Sequence, residues 1–220
     1  MTHYPMMVNL QNKRCLVVGG GQVAERKIGS LLAAGADVTV VSPSCTAIIL
    51  EWAHAKKLMV ALRPFSPQDV READLIIAAT GDPAVNLAVY EACSPHQWIN
   101  IVDRPDLCSF TVPSVVSRGD LQIAISTGGN NPGLAKKMRR QLEEWVGPEY
   151  EDYTLFLGRM RRRVLSLEVS ESDKRLILAE LLDDRFLHWT KSGEAERRDQ
   201  EAEALLANTF EQYEKKEGSH

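Results

Sequence analysis

The sequence predicts an α/β fold: a Rossmann-type doubly wound parallel sheet, then a short β-containing segment, then a small all-α C-terminal region. Three observations carry this expectation. Short apolar runs alternate with helical patterns through the first half of the chain, which is how βαβ units look in sequence. Gly19-Gly20-Gly21-Gln22-Val23-Ala24 falls between the first strand pattern and the first helix pattern. Beyond Gly147-Pro148 the chain becomes charge-rich and carries helical apolar stripes.

Taken in order, Arg14 to Gly19 contains Cys15-Leu16-Val17-Val18, an apolar run of buried-strand type. A helix over Gln22 to Ala34 sets Ala24, Ile28, Leu31 and Leu32 on one face, with Gly35 as its C-terminal stop. Val38-Thr39-Val40-Val41 is a strand, followed by a helix from about Ser44 to Lys56 and a strand over Leu58 to Leu62. Leu75 to Ala79 is the third strong apolar run. Pro83 suits the first turn of a helix reaching Cys93, because its missing N–H would be unpaired there anyway. Trp98 to Val102 completes the set, and right-handed crossovers then place helices on both faces of the sheet.

After Phe110 two β-like runs are expected, Thr111 to Val116 and Leu121 to Ser126, then a turn at Gly128 to Pro132 and a helix from Gly133 to Trp145. In the tail, Ile177, Leu178, Leu181 and Leu182 form one stripe, and Leu205, Leu206, Phe210 and Tyr213 form another. A helical unit of about 70 residues has a small core to stand on. Lys215 to His220 is expected to be disordered. The expected divisions are 1–112, 113–147 and 148–220.

Composition limits the classes of function. The chain has 220 residues, 44% of them hydrophobic, and a net charge of -4. That gives no basic excess to hold nucleic acid or anionic lipid, so neither is an expected partner. No run approaches the ~20 apolar residues of a membrane-spanning helix. Met1-Thr2-His3-Tyr4-Pro5 lacks the blocks of a signal peptide, so a cytoplasmic location is expected. Cys15, Cys45, Cys93 and Cys108 form no C-x-x-C pair and read as free thiols of a reducing compartment. The five histidines share no ligand spacing, and no metal site is expected. His96 reads as a polar loop residue.

The glycine run matches G-x-G-x-x-A in the strand–turn–helix setting that a dinucleotide-binding loop requires. Gly19 permits the tight turn, Gly21 lets a pyrophosphate approach the backbone, and Ala24 permits close helix–strand packing. The phosphates would rest on free N–H groups at the helix N-terminus. A ribose-binding carboxylate is expected about 20 residues on. The second strand instead ends Val41-Ser42-Pro43-Ser44, where Ser42 or Ser44 could hydrogen-bond the ribose. No arginine adjoins these residues in sequence, which favours NAD over NADP.

At this point the chain resembles a known family. Val17 to Lys27, Leu31-Leu32, Gly35 to Val41, Ile76 to Thr80, Asn100 to Asp103, Ser109 to Ser114, and Leu121 to Pro132 with Leu134-Ala135 together resemble the precorrin-2 dehydrogenases of sirohaem biosynthesis. The resemblance covers about residues 1–145; the helical tail is similar in size and character. It implies NAD-dependent dehydrogenation of the tetrapyrrole precorrin-2 to sirohydrochlorin in sirohaem biosynthesis, with cobalamin biosynthesis as a second setting. It implies a homodimer with 113–147 as the dimerisation segment. Some members also insert ferrous iron; here dehydrogenation is expected to dominate. The methyltransferase domain of fusion members is not in this sequence and is expected on another protein. The resemblance puts NAD contacts on Gln22, Val23, Pro43 and Ser44, and the catalytic aspartate on Asp103. It puts a substrate-binding hydroxyl on Thr127, with Ser126 and Gly128 beside it. Thr80 joins the cofactor-binding set. Asn130-Asn131-Pro132 departs from the family pattern, where a polar pair such as Thr-Ser precedes the proline.

The residues allow other readings too. Asp103 ends the last strand of the first half, the carboxyl edge where ligands bind in open α/β sheets. It could take a proton as hydride leaves, or it could cap a turn. Ser126-Thr127-Gly128-Gly129 could present backbone donors to a carboxylate, or could simply connect a strand to a helix. Lys136, Lys137, Arg139, Arg140, Arg159, Arg161, Arg162 and Arg163 could grip the substrate's acetate and propionate groups, or could form solvated faces. An NAD-binding regulatory module without turnover would share the glycine loop. A dehydrogenase of another small substrate would show a Lys or His beside an Asp, and none stands out. An assembly protein with a vestigial fold is the third alternative.

Overall fold

A computed structural model describes residues 3–217, with side chains through 208. It divides into two compact units, Met1–Val112 and Pro113–His220.

The first unit is a five-stranded parallel sheet of β1 (Arg14–Val18), β2 (Asp37–Val41), β3 (Met59–Ala61), β4 (Leu75–Ala78) and β5 (Trp98–Ile101), in the order β3-β2-β1-β4-β5. Alternate residues of each strand feed opposite faces, so two cores form. Cys15, Val17, Val38, Val40, Leu75 and Ile77 meet Ala24, Ile28 and Leu31 of α1 (Gln22–Ala33) and Ile49 of α2 (Ala47–His54). Leu16, Val18, Val41, Ile76, Ala78, Ile99 and Ile101 meet Val89 of α3 (Pro83–Ala92) and Val70 of a short 3-10 turn. Burial on both faces explains why the strands read as unbroken apolar runs. The strand order reverses between β1 and β4, which is where such sheets open a crevice at their carboxyl edge.

Caps fix the helix limits. Gly35, at φ +74°, ends α1 in a left-handed conformation that costs glycine little. Thr46 Oγ1 accepts from the Ile49 N–H, so α2 starts at Ala47 rather than at the expected Ser44. That leaves Ser42 to Cys45 as loop. Asp82 caps α3 through the Ala84 N–H, with Pro83 in the first turn.

In the second unit, β6 (Ser114–Arg118) and β7 (Leu121–Ile125) form an antiparallel hairpin. The first of these strands starts later than the expected Thr111, because Pro113 has no N–H for a ladder. Gly119, at φ +56°, and Asp120 make a two-residue turn with positive φ at its first position only. The hairpin packs on α4 (Pro132–Trp145) through Val116, Ile125 and Ala135. Arg118 donates to the carbonyls of Val146 (3.0 Å) and Glu143 (3.3 Å), holding the end of α4.

The rest is helical: α5 (Glu149–Leu165), α6 (Glu171–Glu180), α7 (Asp184–Lys191) and α8 (Ala195–Glu217). Phe156, Met160, Ile177, Leu181, Phe186 and Leu206 are buried together. Tyr153, Phe156, Phe186 and Trp189 run in ring-to-ring contact at 6.2, 5.7 and 5.4 Å. Arg198 is buried over Phe156 and donates to Asp152 at 2.5 Å, so its charge keeps a partner. The backbone of α8 is helical to Glu217, through the first part of the segment expected to be disordered; residues 218–220, and the side chains of Phe210 and Tyr213, lie outside the described residues. Among the described residues no helix is long and apolar enough to cross a membrane.

Candidate functional site

The carboxyl edge of the parallel sheet holds a cleft of about 620 Å³. Gly19, Gly20 and Gly21 form one wall after β1, Ser42 to Thr46 a second after β2, and Thr80 to Asp82 a third after β4; Pro64 and Phe65 close it.

The three glycines have different reasons to be glycine. Gly19 has φ +120°, and a Cβ there would lie 2.4 Å from the Ala79 carbonyl oxygen. A Cβ on Gly20 would lie 2.1 Å from the Ser44 carbonyl oxygen. Both are demanded by the fold. Gly21 has ordinary φ -84°, and its Cβ would meet nothing within 4 Å. Gly21 is also the N-cap of α1, and no side chain caps that helix. Its first-turn N–H groups therefore lack intrahelical partners, and the space in front of them stays open. A pyrophosphate needs both features. The residues present therefore fit a dinucleotide.

The other walls are held by their own hydrogen bonds. Ser42 is buried, and its hydroxyl donates to the Ser44 carbonyl at 2.7 Å, while Pro43 and Ser44 are exposed. Ser44 is thus the freer hydroxyl for a ribose, and Ser42 shapes the loop. The Thr80 hydroxyl sits 2.8 Å from Asn86 Oδ1 and 2.9 Å from the Asp82 carbonyl. Asn86 Nδ2 donates back to the Thr80 carbonyl at 3.2 Å, and Asn86 is buried. Gln22 and Val23 lie past the cleft wall at the start of α1, Gln22 exposed and Val23 half-buried; Ala24 is fully buried under the helix, in contact with the core.

Asp103 follows β5 at the same carboxyl edge. It is exposed and takes φ +65°, an uncommon conformation that aspartate tolerates better than most residues. No hydrogen bond or ion pair engages its carboxylate among the described residues; the neighbouring Arg104 binds Asp106 instead, at 2.8 Å. Turn capping therefore does not account for it.

In the second unit, Gly128 (φ +60°) and Gly129 (φ +86°) make an exposed turn, and a Cβ on either would meet nothing within 4 Å. Ser126 Oγ accepts from the Gly128 N–H at 3.2 Å, and Thr127 Oγ1 accepts from the Asn131 N–H at 3.1 Å. Asn131 in turn caps α4 through the Leu134 N–H. The asparagine that departs from the family pattern is thus a helix cap.

Three family models match the chain in order. They are described as NAD(P)-binding (residues 6–114), sirohaem biosynthesis protein central (118–144) and SirC C-terminal domain (150–191). A solved structure described as SirC, precorrin-2 dehydrogenase, is 32% identical, with a TM-score of 0.77 over 90% of this chain and 100% of that one. The chain belongs to the SirC precorrin-2 dehydrogenase family. It is also similar to siroheme synthase 2 of Yersinia enterocolitica, at 39% identity over 83% of this chain, and to siroheme synthase of Nitrosococcus oceani, at 33% over 96%. It spans 39% and 45% of those two proteins.

Within this SirC-family chain the cleft gathers Gly19, Gly21, Ser42, Pro43, Ser44 and Thr80 of the expected residues. Asp103 follows the neighbouring strand, and Ser126, Thr127 and Gly128 belong to the other unit. Sequence reasoning missed Asn86, whose only sign was a polar residue on the helix face toward β4. It also missed Pro64 and Phe65, which follow a strand of three residues. Of the basic residues considered for substrate docking, Arg139 pairs with Glu143, Arg159 with Asp199 and Arg163 with Glu203. Among the described residues no group of three or more His, Cys, Asp or Glu side chains could hold a metal ion.

Proposed function

We propose that this chain oxidises precorrin-2 to sirohydrochlorin with NAD as hydride acceptor. The observation that carries the reading is the likeness to SirC along the whole of that protein. The cleft supplies its chemistry: open helix N–H groups for the pyrophosphate beside Gly21 and a free hydroxyl at Ser44 for the ribose. When bound, NAD takes the hydride. Asp103 takes the proton that must leave the macrocycle with it, using a carboxylate that no neighbour occupies. Thr127 and Gly128 offer a hydroxyl and an open backbone turn to the substrate's carboxylates. Lys136, Lys137, Arg140, Arg161 and Arg162 form none of the ion pairs described above, which leaves their charges for those carboxylates.

The chain works as a homodimer in this reading. Leu134, Met138 and Trp145 stand 47%, 42% and 69% exposed along α4 at helical spacing, an apolar stripe that a second copy would cover. The cytoplasm, where thiols stay reduced, suits four free cysteines.

The test supplies precorrin-2 and NAD anaerobically to the purified protein. Turnover is expected; NAD binding without turnover would favour a regulatory module. A parallel reaction with sirohydrochlorin and ferrous iron, without NAD, measures iron insertion, expected to be the slower activity.

A further inference from the structure

No cation lines the cleft among the described residues, and its only carboxylate, Asp82, is engaged as a helix cap. The usual means of telling NAD from NADP are therefore missing from the walls: no acid for the ribose diol, no arginine for a 2′-phosphate. An arginine does stand beside them. β2 and β3 pair at Val41 and Ala61, and just past that pair the Arg63 N–H donates back to the Ala61 carbonyl at 2.9 Å, turning the chain. Arg63 directly precedes Pro64, which lines the cleft. At the end of β2, a bound dinucleotide would place its adenosine ribose.

The guanidinium of Arg63 is not free. Its Nη2 donates to Asp69 Oδ1 at 2.6 Å and its Nη1 to Asp69 Oδ2 at 2.9 Å. Nη1 also donates to the Pro64 carbonyl at 3.1 Å. Asp69 is held in place: its side chain is 11% exposed, and it accepts from the Ser66 N–H at 2.8 Å. The Arg63 side chain, 48% exposed, could otherwise turn.

We propose that the Arg63–Asp69 pair sets the preference for a dinucleotide without a 2′-phosphate, because Asp69 occupies both arms of the only guanidinium at the ribose end of the described cleft. The pairing denies the phosphate a forked donor. Arg63 and Asp69 are specificity residues, and neither is among the residues that line the cleft. This proposal rests on the dinucleotide reading of the cleft.

Asp69→Asn tests it, since the amide keeps an oxygen for the Ser66 N–H while losing the charge. Dissociation constants for NAD⁺ and NADP⁺ are measured by titration on the full chain, with Asp69→Asn, Arg63→Ala and the double variant. NADP⁺ affinity is expected to rise about tenfold or more in Asp69→Asn, the scale of a gained charged hydrogen bond. NAD⁺ affinity should stay within about twofold, and the double variant should lose the gain. Arg63→Ala alone should leave both affinities unchanged, which keeps the proposal testable if Asp69→Asn fails to fold. A marked loss of NADP⁺ affinity in Arg63→Ala would show the arginine already free and overturn it. So would NAD⁺ binding in every variant with no NADP⁺ gain in Asp69→Asn. If wild-type protein binds neither dinucleotide, the reading of the cleft falls with it.

Discussion

Thr80 and Asp103 follow adjacent strands: each lies two residues beyond the paired Ala78 and Ile101, and the Val102 N–H donates to the Ala78 carbonyl at 3.0 Å. Thr80 lines the cleft. Asp103 is therefore one strand away from the cleft wall at the carboxyl edge of the sheet. Asp103→Asn keeps a side chain that tolerates the left-handed backbone and removes the proposed base. Turnover should fall by roughly 10²-fold with NAD affinity retained. Near-normal turnover would remove Asp103 from the reaction.

The glycine loop separates folding from binding. Gly21→Asp should leave the thermal midpoint unchanged or higher, because aspartate is a good N-cap. It should abolish NAD binding by filling the open space and adding a charge that repels phosphate. Gly19→Ala should instead cost roughly 1–3 kcal/mol of stability, from strain at φ +120° and collision with Ala79. Thermal melts and NAD titrations on the two variants check both halves.

Met138→Asp should split the proposed dimer. The substitution puts a charge in the middle of the exposed Leu134–Met138–Trp145 stripe. Light scattering at micromolar concentration should give twice 24.5 kDa for wild type and 24.5 kDa for the variant. A monomeric wild type would contradict the proposal.

Alkaline pH should weaken the fold through two thiols. Burial, helped by the carboxylates of Asp74 and Asp37, pushes the Cys15 thiol up to about 11, and burial pushes Cys93 to about 11. The unfolded chain ionises its thiols near ~8.5. Above that value the unfolded state holds fewer protons than the folded state. The stability that the neutral thiols contribute is therefore complete below it and is lost as pH rises toward 11. Urea unfolding should show the decline, and Cys15→Ala should reduce it.

The sequence made the βα alternation plain because each strand of the parallel sheet is buried on both faces, as Leu16 and Val17 show by entering different cores. The glycine loop was legible because its chemistry is local. Partnerships across long separations were not. Arg159 and Arg163 look like free cations until α8 brings Asp199 and Glu203 against them. A polar residue on the buried face of α3 is the only mark the letters give Asn86, and the packing of α3 against β4 is what makes it meet Thr80. The late start of β6 was within reach, for Pro113 already argued against a ladder there.

The most direct test of the central claim follows both products in one anaerobic reaction of precorrin-2, NAD and purified protein. NADH and sirohydrochlorin should appear together, one for one, and neither should form without NAD or protein. Sirohydrochlorin formed at the same rate without NAD, or NAD bound with neither product appearing, would contradict it.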